Sequence, residues 1–91
     1  MNKSELVDSI SHELKLSLRE SSSIMDTIIN AMTESLADGD NIEIRGFGSF
    51  TVKKYESYCG RNPKTGQKIN VSPKKLPFFK VGKELKERVN R

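Results

Sequence analysis

The sequence predicts an α+β fold: two N-terminal helices, a three-stranded antiparallel sheet extended by a long β-hairpin arm, and a short C-terminal helix. Three observations carry this. Apolar residues recur at helical spacing up to Gly39, the pattern turns to strict alternation from Ile42, and a cationic stretch from Lys53 to Lys75 centres on the turn sequence RNPKTG.

In the first segment Leu6, Val7, Ile10 and Leu14 fall on one side of a helix, and Asn2 with Glu5 forms a capping box, so helix one is expected over about residues 3 to 14. Ser17 with Glu20 forms a second box. Ile24, Ile28, Met32 and Leu36 then recur four apart in a longer helix that Gly39 ends as a left-handed cap. Ile42 and Ile44 alternate as a short strand, Gly46 and Gly48 bracket Phe47 in a tight turn, and Phe50 and Val52 begin a second strand. From residue 53 to 75 large aliphatic residues thin out and a single acid, Glu56, stands among the cations. Asn62 and Pro63 suit a type I turn, and Gly66 can take the positive φ that returns the chain. Roughly ten residues on each limb give an arm of about 30 Å at about 3.3 Å per residue. In the final segment Val81, Leu85 and Val89, spaced four apart, predict a terminal helix.

A chain of 91 residues allows one domain, and 34% hydrophobic content is lean for a lone core, so a dimer is expected. The organisation reads as helices over 1–40, sheet over 41–52, a cationic arm over 53–75, and sheet end with terminal helix over 76–91. The net charge of +4 conceals a division: residues 1–40 hold three basic and eight acidic residues, while residues 41–91 hold thirteen basic and four acidic. That division points to a basic half that meets nucleic acid or another anionic surface.

Cys59 is the single cysteine, which excludes an intrachain disulfide and fits a reducing cytoplasm. The N-terminus lacks the apolar core of a cleaved signal, and no stretch is long enough to span a bilayer. His12 has no second histidine or spaced carboxylates to complete a metal site, and neither Cys59 nor any serine sits in a nucleophile motif. The expectation is a binder with no catalytic residues, metal, cofactor, membrane contact or small-molecule substrate. The binding candidates are the cations of the second half, and phosphate neutralisation by such a surface supplies sequence-independent DNA affinity. The backbone N–H groups at Val81–Gly82–Lys83 either receive a phosphate or simply open an ordinary capped helix. Pro63 is either plain turn chemistry or, flanked by Arg61 and Lys64 on an exposed tip, a wedge that unstacks a base step.

The runs IEIRGFGSF (Ile42 to Phe50), GRNPKTG (Gly60 to Gly66) and PFFKVGKELKER (Pro77 to Arg88) resemble the corresponding blocks of the HU/integration host factor family, and the likeness extends over essentially the whole chain. Glu43, Arg45, SELV and GKELKER are nearer the integration host factor β branch than HU. The resemblance implies an intertwined dimer in the bacterial nucleoid that binds the minor groove of duplex DNA and bends it by inserting Pro63 from each arm. It implies DNA contacts at Lys3, Glu43, Arg45, Lys53, Lys54, Arg61, Asn62, Pro63, Lys64, Lys68, Lys74, Lys75, Lys80, Lys83 and Lys86, with Glu43 orienting Arg45. It also implies a dimer core of Phe47, Phe50 and Phe79. Homodimer and heterodimer with a related subunit both stay open. Two departures stand out: Phe79-Lys80-Val81-Gly82 replaces the family's F-K-P-G, and the arm carries Tyr55, Glu56, Tyr58 and Cys59 in place of further arginine, so that Tyr55 and Tyr58 could pack across it. The alternative is a general polyanion or RNA-binding module that does not bend its ligand.

Overall fold

The computed structural model describes residues 1–91, apart from the side chains of Tyr58, Ile69 and Val71. The chain divides into two compact units, residues 1–35 and residues 36–91.

The first unit holds α1 (Lys3–Leu14) and most of α2 (Leu18–Ala37). Asn2 Oδ1 accepts the Glu5 backbone N–H at 2.8 Å, satisfying one of the free donors of the first turn. At the start of α2 the Glu20 N–H donates to Ser17 Oγ at 3.1 Å, and the Ser17 hydroxyl donates to the Glu20 carboxylate at 2.9 Å, so this box closes between the two side chains. Helix α1 stops at Lys15, which takes a left-handed φ of 55°, a position where glycine or asparagine is usual. Val7 and Met25 are the buried apolar residues here, at 8% and 6% exposure, while Leu6, Leu14, Leu18, Ile24, Ile28 and Ile29 remain exposed. One copy of the chain thus leaves much of this apolar surface in water.

In the second unit Gly39, at φ 87°, caps α2 and returns its N–H to Leu36 O at 3.0 Å, as its position in the sequence suggests. The sheet follows in the order β1 (Ile42–Ile44), β2 (Gly48–Tyr55), β5 (Lys74–Val81), all antiparallel. The alternation of side chains sorts it into two faces. Ile42 pairs with Phe50, Phe50 with Phe79, Val52 with Pro77 and Gly48 with Val81, so one face is apolar until Lys54 and Lys75 follow on it toward the arm. Its aromatic centre is Phe79, whose ring lies 5.5 Å from Phe47 and 4.8 Å from Phe50, tilted in both cases. Glu43, Ser49, Thr51, Lys53, Tyr55, Lys74, Leu76, Phe78 and Lys80 occupy the other face.

The arm is real but interrupted. Beyond Tyr55 and Lys74 the ladder lapses at Glu56, Ser57, Ser72 and Pro73, then resumes as a two-stranded sheet of β3 (Tyr58–Arg61) and β4 (Lys68–Val71). Proline has no N–H to donate, which accounts for part of the lapse. The register is kept across it: Tyr55 faces Lys74, and three residues further along each limb Tyr58 faces Val71. Packing of Tyr58 across the arm lies outside the described side chains.

The last helix, α3 (Lys83–Val89), begins later than its apolar spacing suggests, because Val81 ends β5 opposite Gly48. An alternating strand and a four-spaced helix share that residue type, so spacing alone misassigns it. The Gly82 N–H is donated to Phe47 O at 2.9 Å, which ties the helix start to the glycine turn.

Candidate nucleic-acid interface

The tip is a closed, self-bonded loop. Asn62 donates its N–H to Gln67 O at 2.8 Å and accepts the Gly66 N–H on its carbonyl at 2.7 Å, while its side-chain oxygen takes the Lys64 N–H at 2.9 Å. The closing bond therefore spans one residue more than a type I turn would, and Gly66 completes it at φ 71°. Pro63, which needs no partner for a missing N–H, is exposed between these fixed points, with Arg61 and Lys64 exposed on either side. The half-buried Asn62 holds the loop shut, a role that the turn propensity of asparagine makes legible in sequence.

Below the tip, like charges face one another. Arg61 pairs with Lys68 across β3 and β4, and Lys54 pairs with Lys75 across β2 and β5. Directly opposed like charges destabilise a sheet in water. Around the gap in the ladder, Lys54, Tyr55, Glu56, Pro73, Lys74 and Lys75 line an open hollow of about 490 Å³. Lys53 belongs to the opposite face, where its Nζ lies 3.7 Å from the centroid of the Phe78 ring. Lys80 shares that face, and Lys83 and Lys86, three apart on α3, are exposed on one side of the helix. Phe78, at 45% exposure on the cationic face, is the contact that the sequence reading missed. The doublet Phe78–Phe79 signals it, since neighbours in a strand must point to opposite faces.

Glu43 and Arg45 are exposed on β1 and in the turn after it, and no ion pair joins them, so the implied orientation of Arg45 by Glu43 is not seen. Lys3 is placed in the first unit, where its Nζ lies 2.7 Å from Asp26 Oδ1 in an exposed ion pair. Cys59 Sγ is 3.1 Å from Asn70 Oδ1, an ordinary cross-strand contact. His12 Nδ1 is 2.8 Å from Asp8 O within α1. Among the described residues, no three His, Cys, Asp or Glu gather in a way that could hold a metal ion, and no helix is long and apolar enough to cross a membrane.

A family model described as bacterial DNA-binding protein matches residues 1–90. The chain belongs to that family. Among relatives of the bacterial DNA-binding proteins, integration host factor subunit beta of Cupriavidus metallidurans is 51% identical over 92 residues, covering 100% of this chain and 68% of the relative. The same subunit of Ralstonia nicotianae is 50% identical over 92 residues, covering 100% of this chain and 67% of the relative. Of solved structures, the HU of an Anabaena HU–DNA cocrystal superposes with a TM-score of 0.86 at 31% identity, covering 98% of this chain and 97% of that one. HU from Thermotoga maritima superposes with a TM-score of 0.70 at 35% identity, covering 98% of each chain. The resemblance carried by GFGSF, GRNPKTG and the C-terminal block is thereby borne out, as is the α+β fold with its three-stranded sheet and arm. An architectural DNA-binding role follows from the family.

Proposed function

We propose that two copies of this chain, or one copy with a related subunit, clasp duplex DNA between their arms and kink it by inserting Pro63 at the minor groove. The observation that carries this is the pair of like-charge steps, Arg61 opposite Lys68 and Lys54 opposite Lys75. A hairpin so arranged repels itself in water and is relieved by a polyanion lying along it. The self-bonded tip adds the mechanical part. A wedge must not yield when pressed between bases, and the bonds at Asn62 and Gly66 fix the loop that presents the Pro63 ring. Unstacking costs a few kcal/mol per step in minor-groove binders generally, this family among them, and contacts made by the bent DNA offset it.

Association follows from the apolar surfaces. Phe47 and Phe79 remain 44% and 38% exposed in the single chain, too much for the aromatic centre of a core, and a second subunit would cover them together with Phe50. Arg61, Asn62 and Lys64 would flank the wedge, and the cations of β2, β4 and β5 would follow the phosphates. Lys3, Lys80, Lys83 and Lys86 would receive the DNA where it folds along the body, with Glu43 and Arg45 at the groove between. A protein with this role works in the cytoplasm, on the bacterial nucleoid.

The test is fluorescence energy transfer between the ends of a duplex of ~40 base pairs, well below the ~150 base-pair persistence length, titrated at fixed salt. Saturable transfer is expected, and Pro63→Ala should lower the plateau more than the affinity. Binding without a rise in transfer would leave only a basic module that coats polyanions.

A further inference from the structure

We propose that Phe78 is a positioning residue that holds the Lys53 ammonium on the flat of the sheet as a phosphate contact of the body, apart from the arm. The argument starts from register. Lys53 faces Leu76 across the ladder, whereas Phe78 faces Thr51, one step nearer the body on the same face. With its Nζ 3.7 Å from the Phe78 centroid, the Lys53 side chain therefore leans diagonally away from Lys74 and toward Lys80. An unconstrained lysine on this strand would be free to extend toward the arm. The aromatic ring attracts the ammonium through its negative face and leaves the outward N–H donors available.

The surroundings suit a nucleic-acid backbone. Ser49 and Thr51 alternate with Lys53 along β2, and Lys80 lies opposite Ser49, so hydroxyl donors and two cations share one surface. On the body side of Lys54 and Lys75 the opposite face of the sheet is apolar, which leaves this face free there for a polyanion. Phe78 itself, 45% exposed, is poorly explained as a core residue, since its ring lies on the side away from the Phe47, Phe50 and Phe79 cluster. Its contact with Lys53 supplies a reason for an exposed aromatic at this place. A lysine already ordered in the free protein loses less freedom when it meets its phosphate, so the ring strengthens binding without touching the DNA.

The inference rests on the reading that the cationic face of the sheet meets the duplex. It is tested by a double-mutant cycle on the whole protein with the ~40 base-pair duplex, combining Phe78→Leu, which keeps bulk but removes the ring, with Lys53→Met. Phe78→Leu should weaken binding about two- to fivefold when Lys53 is present, the factor expected of an exposed cation–π contact, and have no effect beside Lys53→Met. Phe78→Trp should retain the parental affinity. Equal loss in both backgrounds, or no loss in either, overturns the proposal. A measurement on the unaltered free protein stands beside the cycle: the Lys53 ε-methylene protons should be shifted upfield by the ring, and unshifted protons overturn the proposal even if the variants fold poorly. Failure of the parent to bind the duplex at all would overturn the functional reading as well, whereas normal bending with an uncoupled cycle removes this inference alone.

Discussion

Replacing Gly48 by alanine tests how tightly β2 and β5 are drawn together behind the aromatic cluster. A Cβ built at Gly48 would lie 2.5 Å from Lys80 O and 2.6 and 2.7 Å from two carbons of the Phe79 ring, where ordinary contact begins at 3.4 Å. Relief requires the backbone of β5 and the Phe79 ring to retreat by close to an ångström, and neither is the loose end of a flexible side chain. Inserting a methyl group into a packed region costs about 1–3 kcal/mol, from which about 0.4–1 kcal/mol returns because alanine restricts the unfolded chain. The extremes net to about 0–2.6 kcal/mol, and contacts under 3.0 Å to backbone as well as ring place Gly48→Ala in the upper part, about 1–2.6 kcal/mol. For a domain of this size, each kcal/mol shifts Tm by about 4–8 °C, so Gly48→Ala should lower it by roughly 4–20 °C. Thermal unfolding followed by circular dichroism would show this, with protein concentration held equal because association raises apparent stability. A Tm within about 2 °C of the parent, the shift of less than half a kcal/mol, would refute the close approach and the pairing of Gly48 with Val81.

Two further outcomes follow from the helical unit. Asp26→Asn frees Lys3 from an ion pair whose partners are 59% and 51% exposed. Stability should change by less than about 1 kcal/mol, while duplex affinity rises and the slope of log affinity against log salt steepens by about 0.9; an unchanged slope in a salt titration would show that Lys3 is not a phosphate contact. Ser21 is fully buried and its Oγ has no hydrogen-bond partner among the described residues. Ser21→Ala should therefore stabilise the protein by about 1 kcal/mol, through helix propensity and removal of an unpaired hydroxyl, and a lowered Tm would mean that the hydroxyl is satisfied after all.

The elements most legible in sequence were those specified locally. Asn2 and Ser17 mark the helix starts, Gly39 marks an end, and the alternation through Phe50 and Val52 marks a strand, because each signal acts within a turn or a pair of residues. Lys15 gave no warning that it would adopt a left-handed φ, since nothing in a lysine favours one. The glycine pair was legible as a turn, but its two members serve different ends: Gly46 supplies φ 85°, whereas Gly48 admits a neighbouring strand. That second role depends on β5, some thirty residues away, and local reading cannot see it. The candidate site divides in the same way. Pro63 and the lysines were visible from turn chemistry and charge, while the opposed pairs, the Phe78 contact and the Asp26 partner of Lys3 needed the register and the fold to bring them together.

The lapse at Glu56, Ser57, Ser72 and Pro73 interrupts the ladder without shifting it by a residue. Length changes in the arm are constrained accordingly. One residue inserted in a single limb would transpose every side chain beyond it, exchanging the face that bears Arg61 and Lys68 with its reverse. Two residues added to each limb would preserve the phase and carry the wedge roughly 7 Å further out. Arms of different reach in this family should therefore differ by matched pairs of residues, and a lineage that gained an unmatched one should carry a bulge beside the gap to restore the original orientation of the tip.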